Sequence, residues 1–217
     1  YSKNYIFCHT DFVCNMKNLL YNLFMQNQVT NKKNKLFVIS GPSGVGKNTV
    51  IKGFLDRNPD YMFSISCTTR KIRPGEKEGV NYFYLSVDEF KKDIENDEFL
   101  EWAQFSDNFY GTKKNFVETT LAKGQNLILE IEIQGASQVK AKMPEAVLIF
   151  IMPPSFEDLE LRLRNRKTES EEAIQKRLES VKIEVENSSK FDYIIVNDKL
   201  ENAIIDLENV INSERNS

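Results

Sequence analysis

A glycine-rich loop between a predicted strand and a predicted helix constrains this chain more than any other feature. The loop Gly41-Pro42-Ser43-Gly44-Val45-Gly46-Lys47 has the spacing G-x-x-x-x-G-K. An apolar run at 36–39 precedes it and predicts a buried parallel strand, and a helix is predicted at 47–56. The glycines let successive backbone N–H groups converge on an anion, and the helix N-terminus adds a positive dipole. The pattern therefore predicts a nucleotide-phosphate site in which Lys47 reaches the β- and γ-phosphates.

The position after the lysine departs from this pattern, because a Ser or Thr there usually directs its hydroxyl toward Mg²⁺. Here Asn48 occupies that position and Thr49 follows. The Asn48 carbonyl oxygen can bind Mg²⁺ or hold one of its waters. Thr49 points elsewhere, since neighbouring helical residues are about 100° apart. We expect both residues at the nucleotide site and Asn48 in the metal shell; the alternative is that Asn48 only caps or packs.

Apolar runs and helical patterns alternate along the rest of the chain. Strands are predicted at 126–131, 146–151 and 193–196. Helices are predicted at 87–96, 115–123, 155–166, 170–187 and 200–212. This alternation predicts an α/β fold with a parallel sheet. Residues 65–112 interrupt it with several Tyr, Trp and Gly and predict a small β-rich insertion, while 155–178 is a charged helical insertion.

Composition excludes several classes of function. The chain has 217 residues with 29 Lys and Arg against 32 Asp and Glu, a net charge of −3, so we expect no broad nucleic-acid-binding surface. Its single histidine excludes a site of several histidines, and its three scattered cysteines suit a reducing compartment, which predicts a cytoplasmic protein. No run approaches the ~18 apolar residues of a membrane span.

Several motifs taken together resemble guanylate kinase. In addition to the loop at 41–47 they are Ser66-Cys67-Thr68-Thr69-Arg70, Arg73-Pro74-Gly75-Glu76, and the stretches 79–84, 99–103 and 108–112. The resemblance runs from 36 to 212. It implies an α/β fold with a three-layer parallel-sheet core that carries the P-loop, a small β-rich NMP-binding insertion and a helical lid. The implied boundaries are an N-terminal extension at 1–34, core at 35–65, 113–154 and 179–217, the insertion at 66–112 and the lid at 155–178.

The resemblance implies phosphorylation of GMP, and of dGMP, by MgATP through direct in-line transfer, in a monomer. The implied GMP site consists of Ser66, Arg70, Arg73, Tyr82, Glu101, Tyr110, Gly111, Thr112 and Glu132. Two guanidiniums can hold one monophosphate by forked hydrogen bonds. The Glu101 carboxylate would accept from guanine N1–H and N2–H, while Ser66 and Thr112 would donate to O6 or share the ring edge. Adenine would be rejected because buried acceptors would stay unpaired.

Two acidic residues and a set of arginines complete the expected site. Glu130-Ile131-Glu132 stands where the family commonly has Asp-x-Asp, and strand alternation would place both carboxylates on one face at the carboxyl end of a strand. We expect Glu130 near the metal and Glu132 near guanine. By resemblance, the phosphate-clamping and catalytic residues are Lys47, Arg162, Arg166 and Arg177, and the adenine-side turn is Asn197-Asp198.

Two questions stay open in the sequence. Guanylate-kinase-like domains without useful catalysis bind protein ligands, so a catalytically weak binding module is the alternative to an enzyme. The extension at 1–34 is rich in Asn and has apolar residues at helical spacing, which predicts an amphipathic helix. It has no Arg, unlike most transit peptides, so we favour a non-catalytic extension over a targeting signal.

Overall fold

The central sheet is built around the apolar run that precedes the glycine-rich loop. A computed structural model of the protein describes residues 34–165 and 170–216. In it, Leu36–Ser40 forms strand β1, and all five residues are buried. The strand has a parallel neighbour on each side. A short apolar run suits this place because neither face of the strand meets water. The predicted buried strand is therefore confirmed.

The remaining elements follow β1 in alternation. The further strands are β2 (Tyr61–Phe63), β3 (Cys67–Thr68), β4 (Phe83–Tyr84), β5 (Phe99–Phe105), β6 (Asn108–Lys113), β7 (Asn126–Glu130), β8 (Val147–Met152) and β9 (Tyr193–Val196). The helices are α1 (Lys47–Arg57), α2 (Val87–Glu95), α3 (Lys114–Ala122), α4 (Ile133–Lys142), α5 (Phe156–Asn165), α6 (Glu171–Glu186) and α7 (Leu200–Arg215). Each strand and helix predicted from residue 35 onward has its counterpart. The structure adds β2 and α4, which the sequence analysis did not predict.

Helices cover both faces of a five-stranded parallel sheet with the order β2-β7-β1-β8-β9. On one face Phe37 and Ile39 pack in a core with apolar residues of α1 and α7. On the other face Leu36 and Val38 pack with residues of α3 and α4. Alternate residues of one strand thus serve two cores. The expected three-layer α/β core is confirmed.

A second sheet accounts for the aromatic residues of the insertion. Its strand order is β4-β3-β6-β5, with β5 and β6 antiparallel and β5 at the edge. Phe90 of α2 stacks on Phe99 at 4.3 Å between ring centroids and on Phe109 at 5.5 Å. These rings form a separate small core, so the aromatic residues hold this sheet together.

The described residues from Asn34 to Arg215 form one compact unit. Residues 1–33, with the predicted amphipathic helix, lie outside the described part, as do 166–169 of the predicted lid. The boundaries assigned to the core, insertion and lid stay a prediction. Within the described ranges, no helix has the length and apolar character needed to cross a membrane.

Candidate active site

The glycines of the loop after β1 are required by its backbone. Gly41 has φ +148°, and a Cβ there would lie 2.2 Å from the Ile151 carbonyl oxygen. Gly46 has φ +97° and is the N-cap of α1, and as a glycine it offers no side-chain acceptor to the first helical N–H groups. The Thr49 N–H donates to the Gly46 carbonyl oxygen at 3.1 Å, whereas the N–H groups of Lys47 and Asn48 come before the first intrahelical acceptor, and the helix dipole reinforces this positive end. The loop therefore has the geometry of an anion site.

Lys47 lies over this loop. Its Nζ donates to the carbonyl oxygen of Gly41 at 2.7 Å and to that of Pro42 at 3.4 Å. Burial lowers the pKa of Lys47, whereas the nearby Glu130, Glu184 and Glu132 carboxylates act to raise it. The ammonium is thus held beside the loop by carbonyl oxygens and surrounded by acidic groups.

Asn48 pairs with the carboxylate at the end of β7. With its amide nitrogen turned toward Glu130, Asn48 donates to the two carboxylate oxygens at 2.7 and 2.9 Å. Burial raises the pKa of Glu130, and Lys47 opposes that increase. Mg²⁺ prefers oxygen ligands and commonly keeps several waters beside one or two carboxylates and substrate phosphates. The Glu130 carboxylate fits such an ion, and the Asn48 amide oxygen fits it when the amide is turned the other way, with its oxygen toward Glu130.

The second strand-end carboxylate is placed differently from the expectation. Strand β7 ends at Glu130, so Glu132 is not a strand residue but the N-cap of α4, with extended backbone angles. The chain turns into the helix because Ile133 begins a helical run that buries Gly135, Ala136 and Val139. Glu130 and Glu132 nevertheless line the same cavity.

Glu101 is a buried carboxylate in the second sheet. It faces Thr112 across the β5–β6 pair, and the Thr112 hydroxyl donates to Glu101 Oε1 at 2.6 Å. Only 4% of Glu101 is exposed, and Thr112 is fully buried. Burial raises the pKa of Glu101 to about 7, although the Thr112 hydrogen bonds act against this. The Thr112 hydroxyl, which we expected to donate to guanine O6, is therefore engaged with Glu101.

The arginine expected at the monophosphate is held by a neighbouring carboxylate. Arg70 donates to both oxygens of Glu76, at 3.0 and 2.8 Å, and the Tyr84 hydroxyl and the Arg73 backbone N–H also donate to Glu76. These hydrogen bonds, with Arg70 first, lower the pKa of Glu76 to about 2. The Arg70 guanidinium lies 5.4 Å from the ring centroid of Tyr82. The Arg73 side chain is exposed.

A further set of contacts connects the P-loop to the turn after β9. Asn197 is buried and donates from Nδ2 to the Val45 carbonyl oxygen at 2.8 Å. Arg162 of α5 donates to the carbonyl oxygens of Asn197 at 3.0 Å and Val45 at 3.4 Å. Arg162 thus contacts the predicted adenine-side turn. Asp198 is exposed and Arg177 is partly buried on α6. Arg166 lies outside the described residues.

One cavity of about 350 Å³ brings most of these groups together. Its size is within the range of small-molecule sites. The predicted residues that line it are Gly41, Ser43, Lys47, Asn48, Ser66, Tyr82, Glu101, Tyr110, Gly111, Glu130 and Glu132. Groups that we expect to bind phosphate, metal and guanine, from distant parts of the chain, therefore line one cavity.

The guanylate kinase family model matches residues 33–214. The chain belongs to the guanylate kinase family. It is 50% identical over 183 residues to a guanylate kinase of Carboxydothermus hydrogenoformans, covering 84% of this chain and 90% of that one. It is 49% identical over 179 residues to one of Prochlorococcus marinus, with 82% and 97% covered. A crystal structure of guanylate kinase from Anaplasma phagocytophilum matches with a TM-score of 0.69 and 33% identity, covering 86% and 88%.

Three residues at or beside this cavity were not among the predicted site residues. Glu184 of α6 lines the cavity, and burial raises its pKa while Lys47 lowers it. Glu184 lies seven residues after Arg177, which is about two helical turns. This spacing places both residues on one helix face and was the available sign that Glu184 belongs to the site. Glu76 belongs to the motif Arg73-Pro74-Gly75-Glu76, but no function was predicted for it. Gly135 also lines the cavity, and the spacing of Ile133, Ala136 and Val139 gives only a weak signal of its helix.

Proposed function

We propose that this chain transfers the γ-phosphoryl group of ATP to GMP, giving ADP and GDP by direct in-line displacement. The observation that carries the proposal is the cavity in which Lys47 of the P-loop and the buried Glu101 face the same space. Membership of the guanylate kinase family supports the same substrates.

Charge and alignment account for the chemistry without a general base. The attacking oxygen of GMP is already anionic at neutral pH, so no proton has to be removed from it. Phosphoryl transfer then depends on positioning and on stabilising charge in a loose transition state. Lys47 and the first N–H groups of α1 would hold the donor phosphates. Arg70, Arg73, Tyr82 and Tyr110 would bind the GMP phosphate.

The lid arginines and a metal ion would complete the charge balance. Arg162, Arg166 and Arg177 are proposed to act on the donor nucleotide, with Arg162 beside the turn at Asn197 and Asp198. Glu130 and Asn48 would hold Mg²⁺, either directly or through its waters. The bound Mg²⁺ would neutralise charge that develops on the phosphate oxygens.

Guanine would be recognised by buried acceptors. Ionised Glu101 can accept from N1–H and N2–H of guanine with the oxygen that Thr112 leaves available, and Glu132 lies at the same cavity. Adenine has no hydrogen on N1 and no 2-amino group, so Glu101 would stay buried and unpaired against it. A buried polar group without its partner costs about 1–3 kcal/mol, and more when it is charged.

The proposal is tested by coupled assays with MgATP and each of GMP, dGMP, AMP, CMP and UMP. We expect rapid ADP formation with GMP and with dGMP, and no such formation with AMP, CMP or UMP. Glu101→Gln should raise the KM for GMP and leave the KM for ATP near its original value. The matched control is Glu118→Gln, which changes an exposed carboxylate on α3. ADP formation that is equal for all nucleotides, or absent with GMP, would contradict the proposal. A monomeric state and a cytoplasmic location stay predictions of the sequence.

A further inference from the structure

We propose that one face of α4, formed by Gly135 and Gln138, positions the Glu101 carboxylate and thereby sets the affinity for guanine. Neither residue is part of the site implied by the family resemblance. The inference rests on the proposed role of Glu101 in reading guanine. Gly135 and Gln138 are positioning residues in this inference, because both act through Glu101.

Gly135 leaves room for the carboxylate where any side chain would displace it. A Cβ built on Gly135 would lie 2.6 Å from Glu101 Oε2 and 3.3 Å from its carboxyl carbon. On the other oxygen, the Thr112 hydroxyl donates at 2.6 Å. The carboxylate is therefore confined between the helix backbone and Thr112. Because only 4% of Glu101 is exposed, a group added at Gly135 would shift the carboxylate within the cavity that it lines.

Gln138 fixes the backbone next to Glu101. Its side-chain oxygen accepts from the Trp102 backbone N–H at 3.1 Å, and its side-chain nitrogen donates to the Trp102 carbonyl oxygen at 2.8 Å. Among the described residues β5 is an edge strand, so no described strand pairs with these two backbone groups on that side. The Gln138 amide takes the place of the missing strand.

Lys142 adds a third contact to the same edge. Its Nζ donates to the Phe99 carbonyl oxygen at 2.8 Å. Residues 135, 138 and 142 are spaced by three and four, so they lie on one face of α4. This face contacts β5 before, at and after Glu101. Because α4 begins three residues after Glu130, it connects the position of Glu101 to the part of the cavity where we expect the metal.

Gly135→Ala tests the steric part of the inference. The added methyl group must push the Glu101 carboxylate aside, so we expect the KM for GMP to rise by about tenfold or more, the size typical of a lost hydrogen bond to a charged group. The KM for ATP should change less than about twofold. Gly53→Ala is the matched control, because its Cβ would meet the Ile204 side chain 2.3 Å away inside the core. It should leave both KM values near those of the original protein.

Gln138→Met tests the backbone part, with Gln134→Met on the exposed side of the same helix as its control. Removing the two hydrogen bonds to Trp102 should raise the KM for GMP by about threefold to tenfold, the equivalent of one net hydrogen bond. Circular dichroism and thermal unfolding would identify a variant that simply fails to fold. Equal changes in both KM values would overturn the inference.

A double-mutant cycle separates positioning from direct blocking of the cavity. If Gly135 acts through Glu101, its substitution should have little further effect once the acceptor is gone, so Gly135→Ala combined with Glu101→Gln should match Glu101→Gln alone. Additive increases in the KM for GMP would overturn the inference and indicate that the methyl group blocks the nucleotide itself. If instead Glu101→Gln leaves the KM for GMP unchanged, the proposed role of Glu101 fails and the inference fails with it.

Discussion

Replacing Glu101 by Gln should make the protein more stable while it weakens GMP binding. Burial raises the pKa of Glu101 from 4.5 to about 7. Between those pH values the folded protein holds a proton on Glu101 that the unfolded chain has lost, so the free energy of unfolding falls as the pH rises. Each pKa unit corresponds to about 1.4 kcal/mol, so the ionised carboxylate costs about 3 kcal/mol above pH 7. A neutral Gln does not carry this cost.

The assay is urea unfolding of the original protein and of Glu101→Gln across pH. At pH 8 the variant should be more stable by about 3 kcal/mol, which corresponds to an increase in Tm of about 6–12 °C for a chain of this size. At pH 5 the difference should be below about 1 kcal/mol, because the original protein is then protonated at Glu101. The stabilisation should therefore appear between pH 5 and pH 8 as the pH rises.

An exposed carboxylate provides the control for this measurement. Glu118→Gln removes an exposed carboxylate from α3 and should change the free energy of unfolding by less than about 0.5 kcal/mol at either pH. If Glu101→Gln is destabilised equally at pH 5 and pH 8, burial of the carboxylate carries no free-energy cost, which would contradict the prediction. Saturating GMP should stabilise the original protein more than the variant, since ligand binding shifts the unfolding equilibrium.

Further predictions concern the pH profile, the P-loop, the metal and the monophosphate loop. The KM for GMP should rise up to about tenfold per pH unit below pH 7, as Glu101 becomes protonated, while the KM for ATP does not follow; initial rates between pH 5.5 and 8 test this. Lys47→Ala should lower kcat by about 10³-fold or more with unchanged circular dichroism, and near-normal turnover would contradict its role. Asn48→Ala should shift the dependence of the rate on Mg²⁺ concentration, and an unchanged curve would favour a packing role. Glu76→Gln should raise the KM for GMP about threefold to tenfold, because Arg70 loses one charged acceptor, and titration of both substrates would reveal whether ATP is spared.

Local patterns predicted the elements that depend on neighbours in the chain. The loop at 41–47, strand β1 and helix α1 were predicted because glycine spacing and apolar runs specify backbone conformation over a few residues. Helix α4 was missed because its apolar positions are interrupted by Gly135 and polar residues, which weakens the helical signal. The contact of Arg162 with Val45 and Asn197 was also beyond local patterns, because it joins residues 117 and 35 positions apart.

The sequence by itself determined the α/β fold, the phosphate loop and the protein family, because these follow from residue order and spacing. Only the tertiary structure decided the state of Glu101. Its pKa depends on desolvation by surrounding atoms, and its position depends on Thr112 and Gly135, which lie 11 and 34 residues away in the chain. Contacts of that kind are formed by packing a helix of the core against an edge strand of the second sheet, and no short pattern in the sequence records them.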